Sequence, residues 1–185
     1  MDKKQRTVYK QGADDGFVFG AYLSVLFLML GYSPYYPVLS LPALVLILFV
    51  PFVIYKMLRR SYVRDLGLTD FSALWLQGIV TFVCGTLLMG CVAFVFMRYL
   101  KPGFIVEQVQ SAADIYRSMS DAGSQHLADT LDLMVERHLL PAPIYVAVEL
   151  MLMGIFSGSI LSMALTWLVR MRKVDSQAVK NGSLK

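Results

Sequence analysis

Four long apolar stretches constrain this chain more than any other feature of its sequence. They run over residues 12–32, 38–58, 72–99 and 143–169. A helix needs about 20 mostly apolar residues to cross a bilayer, so each stretch predicts one membrane span. Only 16% of the 185 residues are charged, and a chain of this size cannot hide so much apolar surface in a water-soluble globule. We therefore expect an all-α membrane protein, with residues 1–185 forming a single integral domain and the four transmembrane helices packed in one bundle.

The distribution of Lys and Arg predicts the orientation of the spans. The N-terminal tail, the connection after the second span and the tail at 170–185 carry thirteen of these residues, whereas the other side carries four. Connections rich in Lys and Arg stay in the cytoplasm. We expect a multi-pass protein of the bacterial inner membrane with both termini cytoplasmic. Its net charge of +4 is then explained by orientation and by membrane lipids with anionic headgroups, not by nucleic acid.

A further pair of helices is predicted outside the bilayer, between the third and fourth spans. Residues 103–140 are too polar to span, but their apolar positions recur at helical spacing on both sides of a break at 120–124. Ser124 is expected to cap the second of these helices. We predict an extracytoplasmic amphipathic helical hairpin. Three acids, Asp129, Asp132 and Glu136, form a stripe along its second helix, which is either a cation or partner site or an ordinary solvated face.

Small residues recur every fourth position in two of the spans. In the first span they are Gly12, Gly16, Gly20 and Ser24, and in the fourth they are Gly154, Gly158 and Ser162. Such stripes let helix backbones approach closely inside a bilayer. They predict helix-packing faces, either between helices of this chain or between this chain and another copy or another membrane protein.

Charged side chains near the spans are candidate sites, because an unpaired ion inside a bilayer is costly. Glu149 and Arg98 are expected at similar depth and form a candidate ion pair, which is either structural or part of a proton or cation site. The arginines that follow the second span, Arg59, Arg60 and Arg64, are candidate contacts for a lipid phosphate or a partner. Alternatively, they only fix the orientation of the chain.

Recognisable catalytic chemistry is missing from the sequence. The chain has no phosphate-binding glycine loop, no zinc-binding histidine motif and no dinucleotide-binding glycine motif. Cys84 and Cys91 do not have the spacing of metal ligands. We expect no metal, no cofactor and no enzymatic activity.

Three stretches carry a resemblance to a known family. They are the first span around Gly12, Gly16 and Gly20, the basic segment Tyr55–Arg64 followed by Asp70–Gly78, and the outer hairpin with its polar turn before Pro141. On these stretches the chain resembles a bacterial membrane family catalogued as domain of unknown function 4199, over nearly its whole length. The resemblance implies a four-span inner-membrane protein with no catalytic residues to assign. It also implies an accessory role beside a membrane glycosyltransferase, since relatives are encoded near such enzymes.

Three functions are compatible with these features. The first is a non-enzymatic accessory or scaffold protein that packs against a membrane partner or against itself, as the small-residue stripes suggest. The second is a small oligomeric transporter or ion pathway that uses Glu149. The third is a lipid-phosphate-binding protein that uses Arg59, Arg60 and Arg64. We predict the first, because no catalytic groups converge and no internal repeat of the kind found in transporters is visible.

Overall fold

The structure is a computed structural model that describes residues 3–64, 69–119 and 121–171. These residues form helices and their connections, and they contain no β-strand. The helices are α1 (Lys3–Tyr32), α2 (Ser40–Arg64), α3 (Phe71–Val95), α4 (Phe104–Ser118), α5 (Ala122–Glu136) and α6 (Pro143–Met171). A 3₁₀ turn at Pro37–Leu39 precedes α2, and a π-helical turn at Phe96–Leu100 extends α3.

Four of these helical segments are long and apolar enough to cross a membrane, which indicates a multi-pass membrane protein. They are Val8–Tyr32, Ser40–Arg64, Phe71–Leu100 and Pro143–Met171. They match the four predicted spans, and the largest difference is at the end of the second. The basic residues expected in a connection after residue 58 instead form the last turns of α2, because Lys and Arg are good helix formers and favour the negative end of the helix dipole.

The predicted C-terminal tail at 170–185 is described only at its start. Arg170 and Met171 belong to the last turn of α6, and residues 172–185 lie outside the described residues. The side of the membrane that each end of the chain faces stays a prediction.

The chain divides into two compact units, one of residues 1–90 and 150–185 and the other of residues 91–149. Both divisions fall within continuous helices, α3 and α6, and neither falls in a linker. That the whole chain acts as one domain stays a prediction.

The core of the first unit takes side chains from all four membrane-compatible helices. Its buried members are Phe19, Ile54, Leu58, Tyr62, Leu74, Phe82, Leu165 and Val169. The Phe19 and Phe82 rings meet edge to face, with 5.1 Å between their centroids. Because lipid tails are as apolar as these side chains, this close packing, and not the removal of apolar surface from water, holds the helices together inside the bilayer.

The glycines of α1 pack directly against α3. A Cβ atom placed on Gly12 would lie 2.9 Å from the Val80 Cβ, and one on Gly16 would lie 2.6 Å from the Cys84 Cβ. At Gly20 it would lie 2.9 Å from the carbonyl oxygen of Gly85. All three distances are too short for real Cβ atoms. The stripe in the first span is therefore a packing face within this chain.

The small residues of α6 meet α3 from another helix face. A Cβ atom on Gly154 would lie 2.5 Å from Thr86 Cγ2, and one on Gly158 would overlap the Phe82 ring. One turn further, Ser162 is fully buried and packs against Gly78 of α3. Of the alternatives left open by the sequence, the structure thus favours intramolecular packing for both stripes, and α3 is the helix that both contact.

The second unit contains the α4–α5 helix pair. Ala113 and Ala128 are buried, and Arg117 of α4 forms an ion pair with Asp132 of α5. The helix α5 begins earlier than expected, because Asp121 is the N-cap and Ser124 lies inside the first turn. The Asp121 carboxylate accepts from the Ser124 N–H, so Ser124 supplies a donor that the cap satisfies, and the prediction of Ser124 as the cap was wrong.

Candidate functional site

A polar cluster joins three helices of the first unit. Gln77 of α3 is only 2% exposed, and its Nε2 donates hydrogen bonds to Asp15 Oδ2 of α1 at 3.1 Å and to Ser61 Oγ of α2 at 2.7 Å. One turn away, the Thr81 hydroxyl donates to the carbonyl oxygens of Gln77 and Gly12. We name Asp15, Ser61, Gln77 and Thr81 the polar cluster.

The carboxylate of the polar cluster lies near two arginines of α2. Arg60 and Arg64 attract the charge of Asp15, and Gln77 adds a hydrogen bond to it. Among the described residues, no buried polar side-chain atom is left without a hydrogen-bond partner. The hydrogen-bonding groups of the cluster therefore find their partners within it. Its geometry fits a structural contact that holds α1, α2 and α3 together better than it fits a ligand site.

Sequence reasoning missed most of this cluster. The polar side chain of Gln77 within an apolar span was a usable signal, because such a group must find a partner inside the bundle. Asp15 was not among the predicted site residues, and nothing in the sequence matched its height to that of Gln77.

The three arginines proposed as one lipid-phosphate or partner contact do not act as a group. Arg59 Nη1 donates to the carbonyl oxygen of Val169 on α6 at 3.2 Å, and its guanidinium lies 6.0 Å from the centre of the Tyr62 ring. Arg60 and Arg64 are exposed, and their charges lie near Asp15 of α1. Successive residues of a helix are turned by about 100°, which explains why Arg59 and Arg60 serve different neighbours.

An open apolar groove lies between α2 and α6. Its lining residues are Pro51, Phe52, Tyr55, Leu165, Leu168 and Met171, and its volume is about 590 Å³. We call it the α2–α6 groove. It lies in the C-terminal halves of both helices, and Arg59 follows Tyr55 by one helical turn. The groove was not predicted, because its shape depends on how two helices pack.

The candidate ion pair between Arg98 and Glu149 is not among the ion pairs that the structure shows. Arg98 lies in the π-helical turn after α3, Glu149 lies in the second turn of α6, and both are exposed. Neither has an ion-pair partner among the described residues. Their pairing and its role stay predictions.

The three acids of the stripe on the predicted hairpin have different surroundings. Asp132 is half-buried and pairs with Arg117, which also bonds Asp114 at 3.0 Å. Asp129 and Glu136 are exposed. Only these two acids of the stripe face outward, so a site that needs all three as ligands is not formed. The described residues also contain no cluster of His, Cys, Asp and Glu that could hold a metal ion.

Comparison with known proteins gives one match. A family model described as "Protein of unknown function (DUF4199)" matches residues 14–171, which include most of α1 and all of α2 to α6. No curated protein and no solved structure matches the chain.

Proposed function

We propose that this chain, which belongs to the DUF4199 family of proteins of unknown function, has a non-enzymatic role. It would act as an accessory or scaffold protein of the bacterial inner membrane. In this role it packs against another membrane protein or against a second copy of itself. The family resemblance suggests a membrane glycosyltransferase as the partner enzyme.

The observation that carries this proposal is apolar exposure on the α4–α5 helix pair. Ile115 is 59% exposed and Leu133 is 48% exposed, and Met119 and Leu127 are also exposed. All four lie outside the segments able to cross a membrane. In the spans, lipid tails account for exposed apolar side chains. On a polar helix pair that we expect outside the bilayer, the same exposure favours a protein-binding surface.

The charges of the helix pair favour a protein over the membrane surface as the occupant. Asp129 and Glu136 are exposed on α5, the same helix as Leu133. Helices that lie on lipid headgroups carry Lys and Arg on their polar face, because most bacterial surfaces are anionic. An acidic helix with exposed leucines fits a partner that carries apolar and basic groups.

Site-specific photocrosslinking in native membranes tests the proposal. A photoreactive residue at Leu133 is expected to form one defined adduct with a membrane protein, or an adduct of twice the 20.8 kDa chain mass if the partner is a second copy. The matched control is the same residue at Gln125, which is exposed on the same helix. The absence of an adduct at Leu133, or equal adducts at both positions, would contradict the proposal.

A transporter or ion pathway is the second candidate, and one observation favours it. Glu149 is an exposed carboxylate within a segment able to cross a membrane. Such a group is costly against lipid and needs either water, a headgroup region or an oligomer interface around it. Flux into liposomes that falls on Glu149→Gln would support this function, whereas an identical background leak with both proteins would end it.

Lipid-phosphate binding is the third candidate. Arg60 and Arg64 are exposed at the end of α2, whereas Arg59 is half-buried and bonds the Val169 carbonyl. The three side chains therefore do not form one phosphate-binding group, but the two exposed arginines support this candidate as surface contacts.

A further inference from the structure

The level of Glu149 along the helix bundle follows from the way α1 and α6 pack on α3. A Cβ atom on Gly20 of α1 would meet the carbonyl oxygen of Gly85 on α3. One on Gly154 of α6 would meet Thr86, the next residue of α3. The two glycines therefore lie at the same level of the bundle. Glu149 precedes Gly154 in the continuous helix α6 by about 7.5 Å along the helix axis.

Aromatic residues indicate that this level is near the middle of the bilayer. The helix α1 ends at Tyr32, about 18 Å from Gly20 along the axis, and exposed tyrosines follow it. Trp167 of α6 is also exposed and lies about 20 Å from Gly154 in the opposite direction. Tyr and Trp concentrate at both membrane–water interfaces. Because the apolar core of a bilayer extends about 15 Å to each side of its middle, Glu149 lies inside that core.

The surface of α6 around Glu149 is apolar. Tyr145 and Met153, one turn to either side, are 70% and 67% exposed, and Leu152 is 58% exposed. Glu149 is exposed as well, and it has no ion-pair partner in the part of the chain that the structure describes. A carboxylate at this depth is costly against lipid, and ionisable groups inside membranes pair with groups of opposite charge. The face of α6 that carries Glu149 therefore requires a basic partner.

We propose that this face of α6 binds a transmembrane helix of another protein, and that this helix presents an Arg or a Lys to Glu149. A second copy of the chain fits the face less well. A symmetric contact there would bring two Glu149 carboxylates together, and like charges repel. The inference rests on the proposed accessory function, and it adds the surface and the charge by which the partner is recognised.

A defined transmembrane peptide tests the proposal without knowledge of the natural partner. The peptide is a helix of leucine and alanine with one arginine five residues from its centre, and the matched peptide has leucine at that position. Energy transfer from the labelled full chain to each labelled peptide is measured in zwitterionic bilayers. We expect the arginine peptide to associate about tenfold more tightly, as one polar contact between membrane helices would give. Equal association of the two peptides would overturn the proposal.

Variants of the chain locate the contact. Glu149→Gln should remove the preference for the arginine peptide, and Glu149→Asp should keep part of it through its charge. Glu136→Gln is the control, because Glu136 is an exposed acid outside the segments able to cross a membrane, and it should keep the full preference. An equal loss in Glu149→Gln and Glu136→Gln would overturn the assignment to α6. Circular dichroism of each variant checks that it is folded.

Energy transfer between two labelled populations of the chain tests the second copy as the occupant. If copies associate and Glu149→Gln abolishes this association, the face binds the chain itself and the proposal is wrong. Crosslinking at Leu133 does not involve this face of α6. An adduct at Leu133 together with equal association of the two peptides would therefore leave the accessory function standing and remove only the contact at Glu149.

Discussion

Gln77 on α3 reaches Ser61 on α2 and Asp15 on α1 with a single amide nitrogen, at 2.7 Å and 3.1 Å. One buried side chain of α3 thus forms hydrogen bonds with both α1 and α2 at the same level of the helix bundle. Hydrogen bonds between membrane helices average about 0.6 kcal/mol, but a half-buried carboxylate that loses its donor adds a further cost.

We therefore expect Gln77→Leu to lower the free energy of unfolding by about 1–2 kcal/mol. Equilibrium unfolding in mixed micelles with a rising fraction of SDS measures this change. A double-mutant cycle of Gln77→Leu with Ser61→Ala should give a coupling of about 0.6 kcal/mol. The control partner is Ser157, whose hydroxyl bonds carbonyl oxygens of its own helix. Equal coupling to Ser61 and to Ser157 would contradict the network.

The glycine stripe of α1 gives a second prediction. In Gly16→Ala the new methyl group would lie 2.6 Å from the Cys84 Cβ, and overpacking of this kind costs about 1–3 kcal/mol. Alanine regains about 0.5–1 kcal/mol as the better helix former. A net loss of about 1 kcal/mol is therefore expected, with no change in oligomeric mass by light scattering.

Gly103→Ala is the matched control for this substitution. Its Cβ would meet only the Glu107 carboxylate, at 3.9 Å, so stability should change by less than about 0.5 kcal/mol. If Gly16→Ala instead dissociated an oligomer and left the stability of the chain unchanged, the stripe would be an interface between copies.

The four membrane-compatible helices were predictable because hydropathy over about 20 residues identifies a span in a single chain. The ends of the helices were less predictable, since Arg59, Arg60 and Arg64 are charged yet remain helical. The stripes at Gly16 and Gly158 identified packing faces, but not the partner helix, because close approach within a chain and between chains requires the same residues.

The candidate site was predictable only in part, for a geometric reason. Similar depth suggests that Arg98 and Glu149 pair, and this stays a prediction, because depth alone does not fix the direction in which a side chain leaves its helix. Neighbouring arginines suggested one phosphate site, but helical rotation separates Arg59 from Arg60. Contacts such as Gln77 with Asp15, and the α2–α6 groove, depend on how helices shift and rotate against each other, which the sequence does not encode locally.

A third prediction concerns pH and the N-cap of α5. The Ser124 side-chain hydroxyl and its backbone N–H both donate to Asp121, at 2.8 Å and 3.0 Å, and these bonds hold the pKa of the Asp121 carboxyl below its ordinary value of 3.8. Because folding lowers this pKa, the cap stabilises α5 above pH 3.8, and the contribution is lost as the pH falls through the lowered value.

Hydrogen exchange of the amides in the first turn of α5 measures this effect. Exchange protection should fall as the pH drops through the acid range, after correction for the intrinsic exchange rate. Asp121→Asn should keep the cap at neutral pH but remove its acid dependence, because asparagine caps helices without ionising. Asp129→Asn, an exposed acid outside the cap, should retain the dependence seen in the unmodified chain. An unchanged pH profile in Asp121→Asn would show that another group is responsible.

The last prediction comes from the C-terminal end of α5, where His138 has a φ of 53°. The Leu139 N–H bonds the Met134 carbonyl at 3.0 Å and the His138 N–H bonds the Val135 carbonyl at 3.2 Å, which is the Schellman arrangement normally built around glycine. A left-handed conformation costs a residue with a Cβ about 1 kcal/mol. His138→Gly should therefore slow hydrogen exchange of the last turn of α5 about fivefold.

Arg137→Gly is the control, because Arg137 has a φ of −85° and glycine relieves no strain there. This variant should exchange faster, because glycine loses more entropy on folding. Faster exchange in His138→Gly would mean that the imidazole makes a contact worth more than the backbone strain.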